Sequence, residues 1–263
     1  GLGDVYKRQI ETFIKETCRI HPEMPGFIVQ GVILPNPLHY ARSLDAWGKV
    51  RAVDGLIGMQ HSDLNTNNIL AKFSRQGEQI EGYYLIDFAL FKDEMPLLYD
   101  QRYLEMSYLV LAIENGSFAG TVDLILRMSE HDILTADQVP IEMAGVNAAI
   151  QAGRDAFERW VADNHPSLHD DLWGQYWLAG AAAGLSYCHK AGQPEEYRLA
   201  GLIYAAANLR QYFYLFGILM PPEASELSLE SAGDGVFRPP AAAKAPLHNL
   251  SLIHISEPTR LRR

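Results

Sequence analysis

Three polar side chains are spaced for chemistry. Asp63 and Asn68 lie in the run Gln60-His61-Ser62-Asp63-Leu64-Asn65-Thr66-Asn67-Asn68-Ile69-Leu70, and Asp87 closes a later run, Tyr83-Tyr84-Leu85-Ile86-Asp87-Phe88. A carboxylate can orient and deprotonate an attacking hydroxyl, and amide and carboxylate oxygens can hold magnesium on phosphates; phosphoryl transfer asks for little else from a protein. A short loop can point Asp63 and Asn68 toward one phosphate. Residues 68–73 then leave as a strand, residues 74–79 turn with Gly77 in the middle, and the aromatic, β-branched residues 82–88 return as a second strand. That hairpin would bring Asp87 back beside Asn68.

The pattern H-x-D-x-x-x-x-N with a downstream D-F resembles the chemical centre of the protein-kinase-like phosphotransferases. The resemblance implies that Asp63 is the catalytic base, that Asn68 and Asp87 hold magnesium and the nucleotide, and that His61 packs to hold the loop. It implies ATP and Mg2+ as cofactors and a hydroxyl-bearing acceptor of unknown identity. It is firm over the catalytic loop and hairpin, and extends to the later helices only in pattern.

Departures from the family narrow the expectation. Protein kinases usually carry Arg between the His and Asp and Lys two residues after the Asp, where this chain has Ser62 and Asn65. Ala89 stands where D-F-G has its glycine, and no A-P-E follows the short stretch from Asp87 to Asp100. A small-molecule acceptor is therefore expected over a peptide. The segment Pro96-Leu97-Leu98-Tyr99-Asp100 before a helix looks like the equivalent region of aminoglycoside and choline phosphotransferases, which implies that Asp100 braces the catalytic loop. A plain helix N-cap at Asp100 makes almost the same prediction.

A weaker similarity is to kinase-like modules fused into multidomain bacterial signalling or conflict proteins. Its counterpart in function is a pseudokinase-like nucleotide-binding or interaction module, an alternative that Ala89 keeps open. A chance polar loop in a helical scaffold is the plainest alternative. Asp93 and Glu94 are acidic and near the site in sequence; they fit either a cationic acceptor or a solvated turn.

Both ends look foreign. Codons exist that make residues 1–9 the reverse complement of residues 250–258 throughout: Gln9 (CAG) mirrors Leu250 (CTG), and Arg8 (AGA) mirrors Ser251 (TCT). The segments 1–9 and 250–263 resemble translations of one sequencing adapter read from opposite strands and are set aside. The expected natural segment is 10–249, with the parent protein and its fused or partner domains continuing beyond both ends.

Composition bounds the rest. Hydrophobic residues make up 48% of the 263-residue chain and charged ones 21%, the profile of a globular protein. The net charge is −10, and removing Asp4, Lys7, Arg8, Glu257, Arg260, Arg262 and Arg263 makes it more negative still. An acidic chain without a basic stripe is a poor match to nucleic acid or an anionic membrane. The two cysteines, Cys18 and Cys188, have no metal-ligand spacing and read as reduced thiols of a cytoplasmic protein.

The pattern along the chain predicts an α+β, mostly helical fold: the large lobe of a kinase-like domain over 10–219, then a Pro/Ala/Ser-rich linker over 220–249. Residues 10–19 read as a helix, 27–34 as an apolar strand that could close a small lobe, and 35–53 as a second helical stretch directly before the catalytic loop. No Gly-rich phosphate loop precedes residue 60, and Lys15 and Lys49 sit in helical patterns, so most of the small lobe is expected to be absent and this segment inactive alone. Residues 97–113 read as a buried helix, apolar nearly all round. Pro140 opens an amphipathic helix with the stripe Met143, Val146, Ile150, Phe157, Trp160 and Val161, and further helices are expected over 171–190 and 195–219. Between them, His165-Pro166-Ser167-Leu168-His169-Asp170-Asp171 reads as a polar loop ending in an N-cap, with a metal site as the weaker alternative.

Overall fold

The computed structural model describes residues 2–42, 53–74, 76, 79–129, 139–227 and 229. The fold is α+β and mostly helical, as the sequence pattern requires. Helix α1 (Leu2–Thr12) continues into a π-helical turn, Phe13–Thr17, and Ile10 in its last turn is buried. Tyr6, Lys7 and Arg8, inside the segment set aside above, are exposed.

The stretch read as one strand over 27–34 is a hairpin, β1 (Gly26–Val29) and β2 (Val32–Pro35). Gln30 (φ 50°) and Gly31 (φ 81°) are both left-handed, the conformation a two-residue turn needs to match strand twist. An apolar run concealed that turn. Phe27, Val29 and Leu34 are fully buried in the same core as the helices below, so the hairpin belongs to the helical body.

Asn36 then accepts from the Leu38 amide at 3.1 Å with Pro37 in the first turn, which starts α2 (Pro37–Arg42). The rest of the predicted second helix, including Lys49, and the turn residue Gly77 lie outside the described residues. A strand that the sequence did not disclose, β3 (Ile57–Gln60), lies between the expected helical stretch and the loop carrying Asp63. The hairpin β4 (Ile69–Phe73) and β5 (Ile80–Leu85) pairs antiparallel with Ile69 opposite Leu85, as the spacing predicted. Asp93 and Glu94 lie exposed on β6 (Lys92–Pro96), antiparallel to β3, and not in a turn.

Helix α3 (Tyr99–Asn115) is the buried central helix, but it is not purely apolar. Arg102 is fully buried and ion-paired to Glu105, and Arg102 also donates to Tyr176 (2.5 Å) and Asn208. Ser117 caps α4 (Phe118–Met128), which the sequence reading did not separate. Helix α5 (Ala144–Asn164) buries Ile150, Phe157 and Val161 as its stripe predicted, and Phe157 stacks on Tyr176 at 4.8 Å. The loop before α6 (His169–Cys188) is a short 3-10 turn, and no group of three His, Cys, Asp or Glu side chains forms a metal cluster among the described residues.

Helices α6 and α7 (Glu195–Leu215) pack closely because glycines meet: a Cβ on Gly201 would stand 2.7 Å from the Gly184 carbonyl. The expected linker begins with structure instead. Strand β7 (Ala224–Glu226) runs parallel to β1, and buried Leu227 donates its amide to the Ile28 carbonyl at 2.9 Å. Among the described residues, no helix is long and apolar enough to cross a membrane.

Candidate active site

The loop of residues 61–68 hangs from the head of α3. The Asp100 carboxylate accepts from the His61 amide at 2.5 Å and the Ser62 amide at 2.8 Å, while the Asp100 amide donates to Gln60 Oε1 at 2.9 Å. Ser62 is left-handed (φ 65°), a conformation non-glycine residues avoid unless neighbours enforce it. Burial raises the Asp100 carboxyl above its usual range, and the His61 and Ser62 amides oppose that shift.

His61 joins the loop to the second strand. Its Nε2 lies 2.7 Å from the Ile86 carbonyl, and since a carbonyl can only accept, Nε2 carries the proton. Its ring packs against Phe88 at 4.9 Å. His61 is thus a brace, buried and bonded, one residue before Asp87.

Asn65 shapes the turn between Asp63 and Asn68. Its side chain accepts from the Asn67 amide at 2.9 Å and donates to the Asp63 carbonyl at 3.1 Å; its carbonyl accepts from the Asn68 amide at 3.0 Å. Asn68 Nδ2 also donates to the Asp63 carbonyl, at 2.8 Å, which leaves Asn68 Oδ1 to accept. The Ile86 amide donates to the Asn68 carbonyl at 3.0 Å, so Asp87 follows directly from a residue bonded to Asn68. Asp87 is exposed and left-handed (φ 60°), and its side chain makes no capping bond. Asn68 and Asp87 therefore stand on adjoining backbone, and each carries a side-chain oxygen of the type that can ligate a hard cation.

Several residues at this site read in the sequence only as core. Tyr103 is buried on α3, with its phenol close enough to Asp63 for that carboxylate to act on it. Burial raises the Tyr103 phenol, with Tyr187 and Asp63 adding to the shift. Tyr187 is pushed up to about 12, first by burial. Ser107 Oγ accepts from the Thr66 amide at 3.0 Å, and Lys190 donates to the Tyr103 hydroxyl. The polar tips of buried tyrosines are the available signal for such a role, since a buried phenol needs a partner. A separate cavity of about 550 Å3 lies among α5, α6 and α7, lined by Arg154, Glu158, Trp173 and Trp177, and no loop residue lines it.

No protein-family model matches this chain, and no curated protein or solved structure matches it significantly.

Proposed function

We propose that this chain carries the phosphoryl-transfer centre of a kinase-like, ATP- and magnesium-dependent phosphotransferase acting on the hydroxyl of a small molecule. The observation that carries the reading is the double hold on Asn68: its side chain on the Asp63 carbonyl and its carbonyl on the Ile86 amide. Those bonds tie the segments bearing Asp63, Asn68 and Asp87 into one unit, with Asp100 and His61 fixing its outer edge.

In this reading Asp63 takes the proton of the acceptor hydroxyl as the acceptor oxygen bonds to the γ-phosphorus. The bond from that phosphorus to the bridging oxygen breaks, and its electron pair leaves with ADP. Asn68 and Asp87 would hold magnesium, which supplies neutralisation of the phosphate charge when bound. Between Asp87 and α3 the chain forms only a 3-10 turn, Phe88–Leu90, and β6, which supports a small acceptor over a peptide.

The other reading, a pseudokinase-like binding module, draws on the exposed apolar face around the hairpin. Ile57, Met59, Phe73, Ile80, Tyr83 and Tyr84 are each more than half exposed. Patches of this kind mark surfaces that another body covers. In the phosphotransferase reading a nucleotide-clamping lobe covers it; in the alternative a signalling partner does.

Asp63→Asn in the complete protein separates the two. ATP-dependent phosphorylation across a panel of hydroxyl acceptors should fall by about a thousandfold or more while the melting curve is unchanged. Undiminished transfer would sink the assignment of Asp63, and nucleotide binding without any transfer by the wild type would favour the binding module.

A further inference from the structure

Lys190 lies two residues beyond α6 and turns its ammonium into the site. Nζ donates to the Tyr103 hydroxyl and sits 5.1 Å from the Tyr103 ring centre and 4.7 Å from that of Tyr187. The Tyr103 hydroxyl has a single proton, and accepting from Lys190 leaves that proton free for another acceptor beside Asp63, whose charge reaches the phenol. Tyr187 lies beside Ser107, and Ser107 Oγ holds the Thr66 amide of the loop. The ammonium is therefore held by two tyrosines that stand beside the residues anchoring the loop.

Its charge has no partner of its own. Among the described residues no ion pair joins Lys190 to a carboxylate, although Asp63 is near enough to be felt. An ammonium has three donors, and the Tyr103 hydroxyl uses one. Partial burial lowers the affinity of Lys190 for its proton, and Asp63 opposes that shift. Cation–π contact with two tyrosines explains where the stem lies but leaves the remaining donors unspent.

We infer that Lys190 is the anion-binding residue of this site, its ammonium taking a phosphate oxygen beside the hydroxyl that Asp63 orients. The inference deepens the phosphotransferase reading and, in assigning that oxygen to the transferred phosphoryl group, rests on it. A fixed cation there offsets charge on the equatorial oxygens during transfer, and it costs no reorganisation because Tyr103 and Tyr187 already hold it.

The test is isothermal titration of the whole chain with inorganic tripolyphosphate and with orthophosphate, each with and without Mg2+, for the wild type, Lys190→Met, Lys190→Arg and Asp87→Asn. Tripolyphosphate should bind the wild type in a Mg2+-dependent manner. Lys190→Met should weaken that binding about tenfold and Lys190→Arg should restore it to within about threefold, a rescue that a merely packing role would not give. Equal binding by Lys190→Met, or no phosphate binding by the wild type, overturns the inference. Binding that depends on Mg2+ and Asp87 but not on Lys190 removes the inference and keeps the phosphotransferase reading. Orthophosphate binding that needs Lys190 but neither Mg2+ nor Asp87 keeps the anion site and removes the phosphotransferase reading. Unchanged near-ultraviolet circular dichroism of each variant ties these outcomes to the site and not to lost packing.

Discussion

Asp100 Oδ1 lies 2.8 Å from the amide nitrogen of Ser62, and Ser62 is the left-handed residue immediately before Asp63. The helix that carries Asp100 packs into the core, so the carboxylate anchors to it a loop whose Ser62 holds a backbone conformation that non-glycine residues avoid. Burial works against the carboxylate and the two amides work for it, which makes the brace sensitive to any change in that side chain.

Asp100→Ala should release the loop. Two hydrogen bonds to a carboxylate are lost, and stability should fall by about 2 kcal/mol, after discounting for the half-exposed position. Urea denaturation measures this. Transfer activity in the complete protein should fall more steeply than stability, because the Asp63 segment loses its geometry. A variant as stable and as active as the wild type would show that Asp100 only caps a helix.

The buried pair Arg102 and Glu105 should behave as a unit. Arg102→Met alone leaves Glu105 in the core with Arg154 at 3.4 Å and should destabilise by about 3 to 5 kcal/mol. The double variant Arg102→Met with Glu105→Met should recover part of that loss. A thermodynamic cycle by chemical denaturation reads the coupling directly, and additive losses would contradict it.

Glycines on the helices should sort by what stands over them. Gly184→Ala drives a methyl into the Gly201 carbonyl and the Ala205 backbone, and should destabilise by about 2 kcal/mol or prevent folding. Gly145→Ala, with nothing within 4 Å, should be neutral or stabilising by up to about 1 kcal/mol. Thermal melts of the two variants should move apart.

The thiols should be inert while the chain is folded. Burial pushes Cys18 up to about 12 and raises Cys188 as well, and both lie in the same buried core. Both are free. Alkylation at pH 8 should be slow until denaturant is added. The sign of the linkage follows: the folded thiol keeps its proton where the unfolded one, near 9.0, loses it. Stability from Cys18 is therefore whole below pH 9 and declines as pH rises toward 12. Rapid native labelling would contradict the burial.

How much of this the sequence disclosed differs by element. The β4–β5 hairpin was legible because β-branched and aromatic residues flank a polar turn, and α5 because its stripe keeps one period over its length. Strands β3 and β6 were not: each is short and largely exposed, β3 spans only four residues and β6 has no alternation, so only their pairing reveals them. The Gln30-Gly31 turn was lost inside an apolar run. At the site, Asp63, Asn68, Asp87, His61 and Asp100 stand close in sequence and share a pattern. Tyr103, Tyr187 and Lys190 reach the same place only through the packing of α3 on α6, which no local spacing encodes.

The most direct measurement of the central claim is nuclear magnetic resonance of the chain with Mn2+ in place of Mg2+, titrated in the presence of ATP. The account predicts paramagnetic broadening centred on the amides of Asn68, Ile86 and Asp87, lost in Asp87→Asn and displaced by excess Mg2+. Broadening elsewhere, or broadening at these amides that survives Asp87→Asn, would contradict it.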